Sequence, residues 1–104
     1  MDEEYVEAVL TVVERIPSGR VMAYGAVAEI VGEKLRRGGP RTVGAVMAQY
    51  GGGVPWWRVV AASGAVPRAS AVVALRELVA EGTPMSGDGM RVDMRLAAWH
   101  PDDL

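Results

Sequence analysis

Two adjacent indoles, Trp56 and Trp57, stand between Pro55 and the run Arg58-Val59-Val60. The proline fixes its own φ and has no N–H for a ladder, and the β-branched pair favours extended chain, so a strand is expected to begin at the first indole. Side chains alternate across a strand, which forbids two neighbouring tryptophans from sharing one apolar layer. One can be packed in a core while the other walls a cavity, and the residues alone allow either assignment.

A chain of 104 residues, half of them hydrophobic, is expected to form one globular domain over residues 1–104. Cysteine is absent and histidine occurs once, at His100. That excludes a thiolate nucleophile, a disulfide framework and a Ser-His triad, and it leaves no histidine-based metal cluster. No cofactor is expected. No apolar run is long enough for a membrane span and the acidic N-terminal segment is unlike a signal peptide, so the expected location is cytoplasmic, nucleoid-associated in a bacterium.

The formal net charge of −2 conceals a division along the chain. Residues 1–19 hold five acids and one base, residues 20–76 eight bases and two acids, and residues 77–104 six acids and two bases. The middle is therefore the part fitted to meet a polyanion.

Residues 3–16 carry Tyr5, Val6, Val9, Leu10, Val13 and Ile16 at helical spacing, with Asp2 placed to cap the helix and Pro17 to end it. Residues 20–22 are expected to be extended. A second helix is expected over residues 24–31, with Val27, Ala28 and Val31 inward, Gly32 as its C-cap and Ala23 where a capping hydroxyl is missing. A polar connection holding Lys34, Arg36 and Arg37 leads to Pro40, well suited to the first position of a third helix over residues 40–49. Val43, Val46 and Met47 are expected inward, leaving Arg41, Gly44, Ala45 and Ala48 nearer the surface. Two short helices joined by a basic link form a helix-turn-helix. The second helix presents few long polar side chains, so its bare face suits a minor groove better than base readout in the major groove.

Tyr50 through Gly53 is expected to be a loop that its three glycines make mobile and able to pass close to a ligand. A helix over residues 69–81 offers Val72, Val73, Leu75, Leu78 and Val79 for the core, and Gly82 ends it. Met90, Val92 and Met94 alternate loosely and predict a strand or small wing. The fold class expected is mainly α with a short β element, a winged-helix-like helix-turn-helix.

The hexapeptide Pro55-Trp56-Trp57-Arg58-Val59-Val60 resembles the Pro-Cys-His-Arg-Val-Val signature of the O6-alkylguanine-DNA alkyltransferases. It is still more similar to that of the alkyltransferase-like proteins, which carry Trp at the cysteine position. The likeness continues through Ile16-Pro17-Ser18-Gly19-Arg20-Val21, Tyr24-Gly25-Ala26-Val27-Ala28, Pro40-Arg41-Thr42-Val43-Gly44-Ala45-Val46-Met47 and Ser63-Gly64, in the family's order.

The resemblance implies a reader of damaged DNA. An alkyltransferase attacks the alkyl carbon with a thiolate activated by a neighbouring base, and indoles occupy both positions here, so the pocket carries over and the reaction does not. The implied lesion pocket comprises Tyr24, Val54, Pro55, Trp56, Ser63 and Arg68. Trp56 would wall the O6-alkyl group, with backbone near Val54 and Ser63 on the guanine edge. The expected DNA surface comprises Tyr24, Arg41, Thr42, Gly44 and Ala45, with Lys34, Arg36 and Arg37 of the basic link as phosphate contacts. Within it Tyr24 would help to rotate the nucleotide outward, and Arg41 would fill the vacated stack. Arg58 is expected to brace the strand and loop by hydrogen bonds. The implied partners are duplex DNA containing O6-alkylguanine and proteins of nucleotide excision repair, with the chain acting as a monomer. Two other functions remain: a sequence-specific helix-turn-helix regulator, and a lesion-blocking protein-interaction module.

Overall fold

The computed structural model describes residues 2–101. Helix α1 spans Glu3–Arg15 and buries Tyr5, Val9, Val12 and Val13 along one stripe. Asp2 caps it, its side chain accepting from the Tyr5 N–H, and Ile16 leaves the helix in an extended conformation. Strand β1, Met22–Ala23, pairs in parallel with β2, Val59–Val60, in the register Met22 with Val59 and Ala23 with Val60.

Between these strands the chain forms helix α2, Tyr24–Leu35, and helix α3, Pro40–Tyr50. The first runs past its expected end: Gly32 lies inside it, and the C-cap is Arg36, left-handed at φ 56, whose N–H bonds the Gly32 carbonyl at 2.8 Å. Leu35 continues the stripe of Val27, Ala28 and Val31 and packs on the core. Fully burying a leucine is worth about 1.5–3 kcal/mol, so even partial burial rivals the roughly 1 kcal/mol cost of an interior glycine. The third helix begins at Pro40 as expected and buries Val43 and Val46. The α2–α3 link is held from below by Tyr5. Gly38 has φ +84, and a Cβ there would overlap the Tyr5 ring.

The expected glycine loop is a 3₁₀ turn, Gly51–Gly53, that prolongs α3. The expected strand through the indoles is likewise a 3₁₀ turn, Trp56–Arg58, and only Val59 and Val60 are extended. Local bonds decide this: the Trp56 N–H donates to the Val54 carbonyl at 2.7 Å and the Arg58 N–H to the Pro55 carbonyl at 3.0 Å. Helix α4, Ala71–Ala80, follows a 3₁₀ turn at Arg68–Ser70 and is shorter than the helix expected over residues 69–81. It buries Ala74 and Leu78, whereas Val72, Val73 and Val79 are 72%, 46% and 61% exposed. The body accepts one narrow stripe at i and i+4, and those valines fall outside it. Gly82, at φ +74, follows the helix. The expected wing reduces to one antiparallel bridge between Met85 and Val92. Met94 instead starts the short helix α5, Met94–Ala97, which Asp93 caps through the Arg95 N–H, and Met90 is exposed.

The small sheet divides two cores. Met22 and Val59 belong to the larger, with α1, α2 and α3; Val21 and Val60 belong to the smaller, with Leu78, Val92 and Ala97. Alternation of neighbours, Val21 with Met22 just before and at the start of β1 and Val59 with Val60 in β2, sends them to opposite sides and so joins the helix-turn-helix to the C-terminal elements.

Candidate functional site

A cavity of about 440 Å³ opens where α3, the glycine turn, the indole turn and the approach to α4 meet. Tyr24, Gly44, Met47, Ala48, Gly51, Gly52, Trp56, Pro67, Ala69 and Ser70 line it. Its size lies within the roughly 300–1,000 Å³ of small-molecule sites. The walls are largely apolar, and Gly44 and Gly52 have open space where a Cβ would stand. Burial pushes the Tyr24 phenol above its ordinary pKa.

Of the residues named for a pocket, Tyr24 and Trp56 meet in this cavity. Val54 is buried in the larger core and Pro55 is half-buried, and neither lines it. Arg68 is exposed at the head of a turn whose neighbours Pro67 and Ala69 do line it. Ser63 lies elsewhere, on an open hollow with Ser86, Asp88 and Arg91. Sequence reasoning missed Met47, Ala48, Pro67, Ala69 and Ser70 as lining residues, whereas the glycine segment expected to pass close to a ligand contributes Gly51 and Gly52 to the wall. Helical spacing held part of the signal, because Gly44, Met47, Ala48 and Gly51 stand at i, i+3, i+4 and i+7.

The indoles part company through the turn that carries them. Trp56 lines the cavity, while Trp57 packs on the smaller core beside Val60 and Leu78. Arg58 fixes the turn from beneath. Its Nη1 donates to the Ile16 carbonyl at 2.9 Å, and its Nε and Nη2 donate to the Glu81 carboxylate. The guanidinium carbon lies 5.7 Å from the Trp57 ring centroid. Burial alone would raise the Glu81 carboxyl, but the Arg58 bonds, the nearby Trp57 indole and the Gly19 N–H outweigh it and hold the carboxyl below its ordinary value. The Trp57 Nε1 is near enough to favour the carboxylate yet lies outside hydrogen-bond geometry, and it is buried without a partner.

The residues named for a DNA surface lie along the helix-turn-helix. Lys34, Arg36, Arg41 and Ala45 are exposed, and Thr42 and Gly44 are partly so. Arg41 stands three and seven residues before Gly44 and Ala48, on the stripe of α3 that borders the cavity. Arg37 was expected among the phosphate contacts; its side chain is turned instead onto Asp2 and Glu4 of the N-terminal region. Neither α2 nor α3 has a side-chain cap, since Ala23 and Gly39 stand at the N-cap positions. Among the described residues no group of His, Asp or Glu is placed to hold a metal.

Residues 4–82 match the family described as 6-O-methylguanine DNA methyltransferase, DNA binding domain. The chain belongs to this family. Within it the chain is alkyltransferase-like. It is 30% identical, over 103 residues, to the DNA base-flipping protein of Escherichia coli (strain K12), a match covering 95% of this chain and 77% of that protein. The corresponding protein of Shigella flexneri matches equally. The fold of this alkyltransferase-like chain is similar to the crystal structure of S. pombe Atl1 in complex with damaged DNA containing O6-carboxymethylguanine. That likeness has a TM-score of 0.79 at 26% identity and covers 97% of this chain and 99% of the other. A second S. pombe ATL structure in complex with DNA gives 0.78.

Proposed function

We propose that this chain is a non-enzymatic sensor of O6-alkylguanine in duplex DNA. It approaches the minor groove with α3, turns the damaged nucleotide into the cavity walled by Trp56, and flags the site for nucleotide excision repair. The observation that carries the proposal is the cavity itself, which holds Tyr24 and Trp56 and opens on the small-residue stripe of α3 that begins at Arg41.

Gly44, Ala45 and Ala48 allow a sugar-phosphate backbone to come close, and Arg41 leads that stripe as the group to fill the gap left by an extruded base. Uncapped first-turn N–H groups on α2 and α3 add donors for phosphate. The flipped base is held by stacking and apolar contact. No acceptor thiol exists for the alkyl group, because the chain has no cysteine. The base-flipping name of the E. coli relative and the damaged DNA bound to Atl1 support this reading. Family resemblance supports the repair coupling, as does a sequence without a cysteine to take the alkyl group.

The test pairs two duplexes of one sequence, one with guanine and one with O6-methylguanine, and follows binding and protein mass together. The reading expects tighter binding to the damaged duplex, an intact lesion and an unchanged mass. A mass gain equal to the alkyl group overturns the non-enzymatic assignment. Equal affinity for both duplexes, with strong preference for some undamaged sequence, would make the chain a sequence-specific regulator.

A further inference from the structure

Four bases, Lys34, Arg36, Arg37 and Arg41, crowd the helix-turn-helix link and its flanks. Among the described residues Arg37 alone of these four is drawn into ion pairs. All three of its guanidinium nitrogens are engaged. Nε donates to Asp2 Oδ2 at 2.6 Å, Nη2 to Glu4 Oε1 at 2.8 Å and Nη1 to the Leu35 carbonyl at 3.2 Å. Asp2 uses its two oxygens separately, since Oδ1 caps α1 through the Tyr5 N–H while Oδ2 holds Arg37.

Two left-handed residues flank Arg37 in the link. Arg36 adopts φ 56, a left-handed conformation uncommon outside glycine, and Gly38 follows at φ +84 against the Tyr5 ring. The link is thus folded back onto the acidic end of α1. Two carboxylates around one guanidinium reproduce the charge-assisted bonds that a phosphate would offer. The pairs stay open to solvent, with side-chain exposures of 44% for Arg37, 41% for Asp2 and 68% for Glu4, so a competing anion can reach them.

We propose that Asp2 and Glu4 form an internal phosphate mimic that holds Arg37 off the duplex and restrains binding to undamaged DNA. The proposal rests on the DNA-binding reading given above. It assigns a purpose to the acidic start of a chain whose middle is basic: fewer phosphate contacts weaken the sequence-independent attraction that would otherwise occupy the protein on intact duplex. Where a damaged nucleotide is gripped in the cavity, the free energy of that grip can drive the exchange of carboxylate for phosphate.

The test is plain-duplex binding across a salt series, using the full chain with Asp2→Asn and Glu4→Gln combined. Asparagine keeps the N-cap oxygen, so α1 should remain intact, and circular dichroism checks that it does. Removing two negative charges also lessens general repulsion, and Glu3→Gln with Glu7→Gln on the same helix measures that effect. The proposal expects the Asp2/Glu4 variant to tighten plain-duplex binding several-fold more than the Glu3/Glu7 variant. Its log–log salt slope should steepen by about 0.9, the increment for one added phosphate contact. In an Arg37→Ala background the excess should vanish. Equal gains from the two acid pairs, or an excess that survives without Arg37, overturn the mimic. If the excess appears but wild type shows no lesion preference, the lesion-sensing reading falls and the mimic stands. A chain that binds neither duplex overturns both.

Discussion

Trp56 and Trp57 meet edge to face, with ring centroids 5.7 Å apart and planes at 83°. The contact joins the cavity wall to the smaller core, because one ring lines the cavity and the other packs beside Val60 and Leu78. A rigid aromatic wall needs support from behind. Trp57 supplies it, and edge-to-face pairs add about 0.5–1.5 kcal/mol beyond the area they bury.

Trp57→Ala should therefore be mainly a stability lesion. Truncating a core tryptophan costs about 3–5 kcal/mol, and this half-buried ring should fall near the lower end, about 3 kcal/mol by denaturant unfolding. A loss below about 0.5 kcal/mol, within the range of ordinary surface substitutions, would show that the ring does not support the fold.

The Arg58–Glu81 pair makes stability depend on acid. Glu81 has a lowered pKa in the folded protein, so its contribution is fully present above the ordinary carboxylate value and is lost as pH falls through the lowered folded value. The pair is largely buried, with side-chain exposures of 15% and 12%. Removing one partner of a buried pair costs about 3–5 kcal/mol, so Glu81→Gln should cost about 3 kcal/mol at neutral pH and flatten the acid limb of the stability curve. An unchanged acid limb contradicts the assignment.

Arg41 leads the cavity-bordering stripe of α3, and the proposed function gives it the vacated place in the base stack. Arg41→Ala should then lower affinity for the damaged duplex more than for the plain one, as read by parallel titrations. Equal losses on the two duplexes would make it a phosphate contact, and the loss would then carry a flatter salt slope.

Legibility in the sequence followed the range of the forces involved. Helix α1 and the start of α3 could be read because the Asp2 cap, the apolar stripe and Pro40 act within one or two turns. The end of α2 could not, because burial of Leu35 against distant residues overrides the local signal of Gly32. The strand expected through Trp56 gave way to turn hydrogen bonds in which the Val54 and Pro55 carbonyls accept from the Trp56 and Arg58 N–H groups, and no side-chain pattern announces them. Expecting Val72, Val73 and Val79 in the core overstated how much of α4 the small body can cover. In the cavity, the large residues Tyr24 and Trp56 were visible. Glycine, alanine and proline act there by leaving space, a property that appears only once α3 and the approach to α4 are in place. Arg37 looked like a free base because Asp2 and Glu4 lie more than thirty positions away in the chain.

If Trp56 walls a pocket for an alkylated base, matched-duplex titration of Trp56→Ala will register its loss. Stacking on an aromatic side chain is typically worth about 1–3 kcal/mol, and about 1.4 kcal/mol is a factor of ten. The variant, shown to be folded by circular dichroism, should lose roughly ten- to hundred-fold in binding to the O6-methylguanine duplex and change little on the guanine duplex. The contradicting result is a folded Trp56→Ala protein that keeps its lesion preference while a folded Trp57→Ala protein loses it.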